Sequence, residues 1–392
     1  MAAAAGKGNP MKRQLGAAAL ALTLFPALAG AAVPVDCGVP NEMVDGWPVS
    51  SPPQQDLDPS LICAIGPELE KMPEASPNGV VVVRNGVLVY EHYFAGADQR
   101  WPEQHWGEPL PSMPHDVGTL HDLQSITKSV IALLVGIALD RGLIKTIDAP
   151  ILSTLTQYAD LRTPDKARIS LRDLMTMTAG LRWPYKPYLS MARKMDAASD
   201  PYRFVLEQPL VAAPGTLWHY NNGSVELVGA VVQKAAGRPL DQFAKEALFE
   251  PLGITDWEWG RMASGDPGAS WGLRLRPRDL AKIGQLVLDD GAWHGRQIVS
   301  AAWIKEMTTP RIVRPTYVYG YLWWLNQSSI DGRTVAWVGG NGWGGQCLYI
   351  VPSLGLVVVV TAGVYDYEGN GHQGAAGEAV LNSFALPAAL RP

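Results

Sequence analysis

The stretch LQSITKSVIALLVGIAL, residues 123–139, decides the fold of this chain. From Val130 onward it is apolar, and such a run predicts a buried helix. Ser125 then lies at the N-terminus of that helix, and Lys128 lies one turn further along the same face. The spacing therefore brings the lysine amine within reach of the serine hydroxyl.

The position of this pair predicts nucleophilic chemistry. Backbone N–H groups at the start of a helix lack partners, so they can receive a developing oxyanion. Lys128 leads into an apolar helix, and a buried lysine is driven toward its neutral, basic form. A Ser-x-x-Lys tetrad alone is also typical of an N-cap serine followed by a surface lysine. Motifs elsewhere in the chain distinguish between these two interpretations.

Length and composition describe a globular enzyme. The 392 residues allow two domains, or one large domain with an inserted subdomain. With 47% hydrophobic and 18% charged residues, the chain can form an ample core. The net charge of -5 gives no reason to expect a nucleic acid or an anionic membrane surface as partner.

The N-terminus has the features of a cleaved signal peptide over residues 1–31. Lys12 and Arg13 form a basic region, residues 15–28 are apolar, and residues 27–31 contain two small-residue cleavage patterns. The apolar core is too short to span a bilayer permanently. We therefore expect a periplasmic or secreted mature protein without a membrane span.

The three cysteines fall into two groups. Cys37 and Cys63 are close in sequence within an irregular, loop-rich lead-in over residues 32–75, and in an oxidising compartment they can pair. Cys347 lies in an apolar strand pattern and is expected to remain a buried free thiol.

Strand patterns occur near both ends of the chain. Asn85-Gly86 separates two β-branched runs and predicts a hairpin with a two-residue primed turn. Further strands are predicted at residues 321–325, 334–337, 347–351 and 356–361.

Helical patterns lie between these strands, at residues 170–177, 202–207, 224–236, 240–248 and 277–288, and again at residues 378–384. Strands at both ends with helices between them imply an α+β fold with one antiparallel sheet and an inserted helical domain. We predict a catalytic unit over residues 76–392. Residues 76–115 and 300–392 form its sheet domain, and residues 116–299 form a mainly helical domain.

Acyl transfer from Ser125 with Lys128 as base also needs a proton donor for the leaving group. Tyr220 can shuttle that proton, because a nearby ammonium would lower the pKa of its phenol. Asn222 can hydrogen-bond Lys128 and the substrate carbonyl. The alternative for the last two residues is structural, as a buried tyrosine and a turn asparagine.

The second oxyanion donor should come from a strand whose backbone approaches the serine closely. Residues 339–346, with the sequence GGNGWGGQ, suit such an approach because glycines remove the steric barrier.

Together these three pieces resemble the penicillin-recognising serine hydrolases, and the resemblance covers most of the mature chain. Residues 125–128 are similar to the family's Ser-x-x-Lys motif, and residues 220–222 resemble the Tyr-x-Asn motif of its class C β-lactamase branch. The resemblance implies Ser125 as nucleophile, Lys128 as general base and Tyr220 as proton shuttle. It also implies an antiparallel sheet flanked by helices and packed against an all-helical domain, with the active site in the cleft between them.

This chain departs from the family's usual pattern at the third motif. That motif commonly carries Lys or His before Thr-Gly or Gly-Gly, whereas residues 337–340 read WVGG and contain no cation. Residues 342–346 instead resemble the third motif of carboxylesterase and 6-aminohexanoate-dimer hydrolase members. On that match the N–H of Trp343, between Gly342 and Gly344, is the second oxyanion donor. A hydrolase of a small ester or linear amide is therefore favoured over a true β-lactamase or D-amino-acid peptidase.

Two rival interpretations remain. Residues 268–272 satisfy the Gly-x-Ser-x-Gly pattern of α/β-hydrolases, but the preceding residues do not make a core strand and Pro277 delays the next helix. A catalytically silent binding or sensor domain on the same fold is the other rival. The complete set of Ser125, Lys128 and Tyr220 argues against it.

The remaining candidates are histidines and aromatic residues. The seven histidines lack metal-ligand spacing, so we expect no metal. We also expect no other cofactor, and we expect a small-molecule ester or amide as the partner. His219 either touches the site or packs in a turn. Four aromatic residues are candidates to line an acyl pocket or to form a lid: Trp183, Tyr185, Tyr188 and Trp343. For Trp183, Tyr185 and Tyr188 a structural role is the alternative.

Overall fold

The computed structural model describes residues 35–98, 111–184, 186, 190–365 and 373–391. The predicted signal peptide and the predicted site residues Tyr185 and Tyr188 lie outside these ranges. In chain order, the α-helices are α1 Pro59–Ile62, α2 Ile65–Leu69, α3 Thr127–Asp140, α4 Leu171–Met175, α5 Ser190–Asp196, α6 Pro201–Glu207, α7 Asn222–Ala236, α8 Leu240–Ala244, α9 Pro277–Leu288, α10 Ala301–Met307, α11 Ala375–Ala379 and α12 Leu386–Leu390.

The strands are β1 Pro77–Arg84, β2 Val87–Tyr93, β3 Ala95–Gly96, β4 Met113–Pro114, β5 His121–Asp122, β6 Glu258–Trp259, β7 Leu273–Leu275, β8 Ala292–Trp293, β9 Arg296–Gln297, β10 Ile312–Arg314, β11 Tyr317–Tyr319, β12 Trp324–Ile330, β13 Arg333–Gly342, β14 Gln346–Val351 and β15 Leu356–Ala362. No helix within the described ranges is long and apolar enough to cross a membrane.

One large antiparallel sheet joins the two ends of the described chain. Its strand order is β10-β11-β12-β13-β14-β15-β1-β2. The two parts of the sequence meet where β15 pairs with β1, with Val81 opposite Val359. Asn85 and Gly86 connect β1 to β2 with φ angles of 51° and 77°, as a primed turn requires. The predicted antiparallel sheet and its hairpin are confirmed.

Alternating side chains of the central strands supply two separate cores. Val81 and Val83 pack in the core that contains α3, α7 and α9. Val80 and Val82 face the other side of the sheet, where α1, α2 and α12 cover them. Because successive strand residues point to opposite faces, an unbroken β-branched run here means that both faces are buried.

Helix α3 is the central helix predicted from the apolar run. Its residues are buried from Thr127 to Ala138. Ser125, predicted at the N-terminus of this helix, lies in a 3-10 turn at Gln124–Ile126 that leads directly into α3. Between residues 121 and 138, Ser125 is the one position that is not fully buried.

The N-terminal lead-in is more regular than predicted, because α1 and α2 interrupt it. Asp58 caps α1 by accepting a hydrogen bond from the N–H of Ser60. Ile62, Ile65 and Leu69 are buried in the core on the outer face of the sheet. Burial at this helical spacing organises a stretch whose composition alone indicates loops.

The cysteine predictions are confirmed. Cys37 and Cys63 form a disulfide that ties the start of the described chain to the end of α1. Cys347 is a buried free thiol in β14.

The predicted strand at residues 321–325 is wrong over its first half, since β12 begins only at Trp324. Leu322 has a φ of 61°, which interrupts an extended backbone. The turn directs Tyr321, Leu322 and Trp323 into the core, where all three are fully buried. Tertiary burial therefore overrides the strand propensity of these aromatic residues.

Candidate active site

The backbone before Ser125 is held in an unusual conformation. Gln124 has a φ of 48°, a region that non-glycine residues rarely occupy. Its backbone N–H and its side-chain amide donate to the two carboxylate oxygens of the buried Asp122, at 2.9 and 2.7 Å. These two bonds stabilise the turn that carries Ser125.

Lys128 lies beside this serine. Its Nζ is 2.8 Å from Ser125 Oγ and 2.7 Å from the carbonyl oxygen of Ser270. The residue is only 1% exposed. Burial lowers the pKa of Lys128 to about 7, although the negative charge of Glu226 acts in the opposite direction. Much of the amine is therefore neutral near pH 7 and able to accept a proton.

Tyr220 lies on the other side of the same serine. Its hydroxyl shares a hydrogen bond with Ser125, and its ring centroid lies 5.1 Å from Lys128 Nζ. Burial raises the pKa of Tyr220 to about 12, so the expectation of a lowered pKa is wrong. Desolvation of the phenolate outweighs the hydrogen bond with Ser125, which acts in the opposite direction. The phenol therefore stays protonated at neutral pH.

Asn222 begins α7 next to these groups. The preceding Asn221 caps the helix by accepting from the N–H of Ser224 at 3.1 Å. The predicted bond from Lys128 to Asn222 is not formed among the described residues, because the amine is turned toward the Ser270 carbonyl. Within the same ranges, the buried Asn222 Oδ1 has no hydrogen-bond partner. This oxygen can accept a hydrogen bond from a substrate N–H or from a reoriented Lys128.

The glycines of β13 allow the strand to approach the Ser125 turn, as predicted. A Cβ atom on Gly340 would lie 3.2 Å from Ser129 Oγ, and one on Gly342 would clash with the carbonyl of Leu123. Gly344 follows with a φ of 89°, which only glycine adopts readily. Ser125 thus lies between the glycine-rich end of β13 and Tyr220, which shortly precedes α7.

Trp343 directly follows the end of β13. The residue is buried, and its ring meets that of Tyr365 edge to face with centroids 5.1 Å apart. Its assignment as the second oxyanion donor stays a prediction.

Glu226 is a site residue that the sequence analysis missed. It is 1% exposed, and its two carboxylate oxygens accept the backbone N–H groups of Ala269 at 2.7 Å and Ser270 at 2.9 Å. Burial raises the pKa of Glu226, while these hydrogen bonds and Lys128 oppose that shift. A single acidic residue inside the apolar run of α7 was the available signal.

The Gly-x-Ser-x-Gly pattern at residues 268–272 is not a nucleophile elbow. Ser270 is 0% exposed, and the segment leads into strand β7 rather than into a helix. Its contribution to the site comes from the backbone, since the Ser270 carbonyl accepts the Lys128 bond.

A group of aromatic rings packs together beside Tyr220. The ring of Tyr220 stacks on Trp324 with centroids 6.2 Å apart. Trp324 in turn contacts the rings of Tyr317 and Tyr319, and Trp218 lies 4.6 Å from Tyr317. We call these five residues the aromatic wall. The sequence analysis did not find it, because its members come from distant segments.

Trp183 and His219 have structural positions. Trp183 is buried, and its ring packs so closely on the start of α7 that a Cβ on Gly223 would lie 2.6 Å from it. His219 makes a hydrogen bond through Nε2 to the carbonyl of Trp183. The packed-turn interpretation of His219 is therefore favoured. Within the described ranges, no group of three His, Cys, Asp or Glu side chains could hold a metal ion.

The family model named Beta-lactamase matches residues 69–375. The match covers most of the chain, which therefore belongs to the Beta-lactamase family and has a β-lactamase/transpeptidase-like fold. The resemblance inferred from the motifs is confirmed.

Curated relatives include the monacolin J acid methylbutanoyltransferase of Aspergillus terreus, 28% identical over 199 residues, or 46% of this chain and 47% of that protein. Esterase EstB of Burkholderia gladioli is 27% identical over 188 residues, 45% of each chain. The chain thus spans about half the length of these relatives. A Bacillus anthracis structure provisionally assigned as a 6-aminohexanoate-dimer hydrolase covers 80% of both chains, with a TM-score of 0.64 and 20% identity. At that identity the likeness shows the fold alone.

Proposed function

We propose that this protein is a serine hydrolase that forms an acyl-enzyme on Ser125 and cleaves a small ester or a linear amide. One observation carries the proposal. Lys128 Nζ lies 2.8 Å from Ser125 Oγ, in a site where burial lowers the pKa of the amine to about 7. A base with such a pKa is matched to proton abstraction at neutral pH.

The acylation step follows from these positions. Neutral Lys128 takes the proton of Ser125 as Oγ attacks the substrate carbonyl carbon. The oxyanion that forms is stabilised by the backbone N–H of Ser125 and by that of Trp343. Protonated Tyr220 then donates to the leaving alkoxide or amine, and Lys128 returns a proton to the phenolate. Water releases the acyl group by the reverse sequence of proton transfers.

The surroundings of the site support an apolar substrate. Four members of the aromatic wall are only partly buried and so offer flat apolar surface to an acyl or leaving group: Trp218, Tyr220, Tyr317 and Trp324. Alternation along β13 places Val338 on the same face as Gly340 and Gly342, so this strand offers no cation to a β-lactam carboxylate. The match to esterase EstB agrees with an ester substrate.

Fluorophosphonate labelling and a substrate screen test the proposal. The wild-type protein should be labelled and should hydrolyse short p-nitrophenyl esters or linear amide oligomers faster than nitrocefin. Ser125→Ala should abolish labelling and hydrolysis while the circular dichroism spectrum is unchanged. Ser270→Ala, which removes the hydroxyl of the rival motif, is the matched control and should still be labelled.

Three outcomes would contradict the proposal. Labelling that persists in Ser125→Ala would exclude this serine as the nucleophile. A wild-type protein that is neither labelled nor active would support a silent binding or sensor domain. Turnover of nitrocefin comparable with that of the best ester would indicate a true β-lactamase.

We also propose that the protein is exported, on the basis of the signal-peptide pattern in residues 1–31. Expression of the full chain and mass analysis of the purified N-terminus should find cleavage near residues 29–31. An intact N-terminus on cytoplasmic protein would contradict export.

A further inference from the structure

Glu226 is a charged residue in an otherwise apolar part of α7. Its neighbours Val225, Leu227 and Val228 are fully buried in the core that contains α3. An ionised carboxylate in such a place is costly unless it is hydrogen-bonded. Both of its oxygens accept backbone N–H groups, and these bonds stabilise the charged form against the burial that raises the pKa of the carboxyl. The ionised form therefore fits the geometry.

The two N–H groups belong to the segment whose carbonyl holds Lys128. Ser270 donates its N–H to Glu226 Oε1 at 2.9 Å and accepts Lys128 Nζ on its carbonyl oxygen at 2.7 Å. Glu226 thus reaches the catalytic amine through one residue of backbone. Ser125, Lys128, Ser270 and Glu226 form a continuous chain of hydrogen bonds from α3 to α7.

We propose that Glu226 is a positioning residue: it holds the 268–272 segment, and through that segment it holds Lys128 in the place from which Ser125 is activated. We further infer that its negative charge favours the protonated form of Lys128, against the effect of burial. This inference rests on the proposed function and adds a residue that does not touch the substrate.

Two phenols lie beside this chain of hydrogen bonds, and neither ionises near neutral pH. Tyr220 faces Lys128, and burial raises the pKa of its phenol to about 12. Tyr202 of α6 lies near Glu226 and Asp266, and burial together with these carboxylates raises the pKa of its phenol well above the usual range. Both phenols stay neutral. A change in the charge of residue 226 should therefore be detected through Lys128.

The test is the pH dependence of hydrolysis, or of fluorophosphonate labelling, in Glu226→Gln. The glutamine can still accept one N–H, but its own NH₂ group opposes the second. Because Lys128 can shift with the released segment, kcat should fall at least about 10-fold, and up to ~100-fold for a 1 Å displacement. Without the anion, the protonated form of Lys128 is less favoured. The acid limb of kcat/KM should then move to lower pH by about one unit.

Two further variants separate charge from folding. Glu226→Asp keeps the charge but shortens the reach, so it should lower kcat while the acid limb stays at the wild-type pH. Asp279→Asn removes another buried carboxylate, one that pairs with Lys282 and Arg276 in and beside α9. It should lower the melting temperature without moving the acid limb.

The result that overturns the inference is an acid limb that does not move in Glu226→Gln while wild-type protein is labelled. A loss of activity with an unchanged acid limb would reduce Glu226 to a structural residue. If Glu226→Gln does not fold, a shifted acid limb in Glu226→Asp would equally refute the role of the charge. Absence of labelling in the wild-type protein would instead reject the proposed function itself.

Discussion

Replacement of Tyr220 by phenylalanine removes the proposed proton donor and little else. The ring that stacks on Trp324, with centroids 6.2 Å apart, is retained. With a pKa of about 12, the wild-type phenol is protonated at neutral pH and can supply its proton to a departing group. An amine leaves an amide only when it is protonated, whereas p-nitrophenolate leaves unaided. The effect of the change should therefore depend on the leaving group.

Donation of such a proton typically contributes about 10²–10⁴-fold in rate, or roughly 3–5 kcal/mol of activation free energy. We expect Tyr220→Phe to lower kcat/KM for an anilide or an alkyl ester by about 10²-fold or more. The loss for a p-nitrophenyl ester of the same acyl group should be less than about 10-fold. Steady-state kinetics on two substrates that differ only in the leaving group measures this difference.

The matched control is Tyr317→Phe, which removes another hydroxyl of the aromatic wall and should not discriminate between the leaving groups. Equal losses on both substrates in Tyr220→Phe would mean that Tyr220 serves the attack step, as base in place of Lys128. An unchanged rate on both substrates would leave Tyr220 as a packing residue. Either result would refute the reasoning.

Three other predictions concern Lys128, strand β13 and the aromatic wall. Because burial lowers the pKa of Lys128 to about 7 and the neutral amine is the active form, kcat/KM in a pH–rate profile should be highest above pH 7. Below that value it should fall about 10-fold per pH unit; an acid limb near pH 4 would assign the base elsewhere. Gly342→Ala should clash with the Leu123 carbonyl and cost activity and melting temperature, whereas Gly118→Ala, with only one atom at 3.5 Å, should cost neither. Trp324→Ala should raise KM for esters of bulky aromatic alcohols about 10-fold and leave KM for methyl esters nearly unchanged. An equal change in KM for both kinds of ester would mean that the aromatic wall does not contact the substrate.

Local patterns were sufficient to predict that Ser125 and Lys128 lie side by side. Ser125 and Lys128 are three residues apart, and helical geometry alone brings residues at this spacing together. The apolar run after Lys128 was enough to predict a buried amine, and burial is the cause of its lowered pKa. The hairpin at Asn85-Gly86 likewise depends on a backbone conformation that these residue types favour, and the close approach at Gly342 depends on the absence of a Cβ atom.

Only the tertiary structure decided which distant groups surround this pair. The bond from Lys128 to the Ser270 carbonyl joins residues 142 positions apart, and the bond from Ser270 to Glu226 spans 44 positions. No local periodicity carries such information. The pKa of Tyr220 shows the same limit, because the sequence suggested a neighbouring charge but not the extent of desolvation, which is the larger effect. The sequence by itself therefore determined the fold class and the pairing of Ser125 with Lys128, because both depend on local patterns. The packing of remote segments determined which groups hold Lys128 and which rings surround Tyr220.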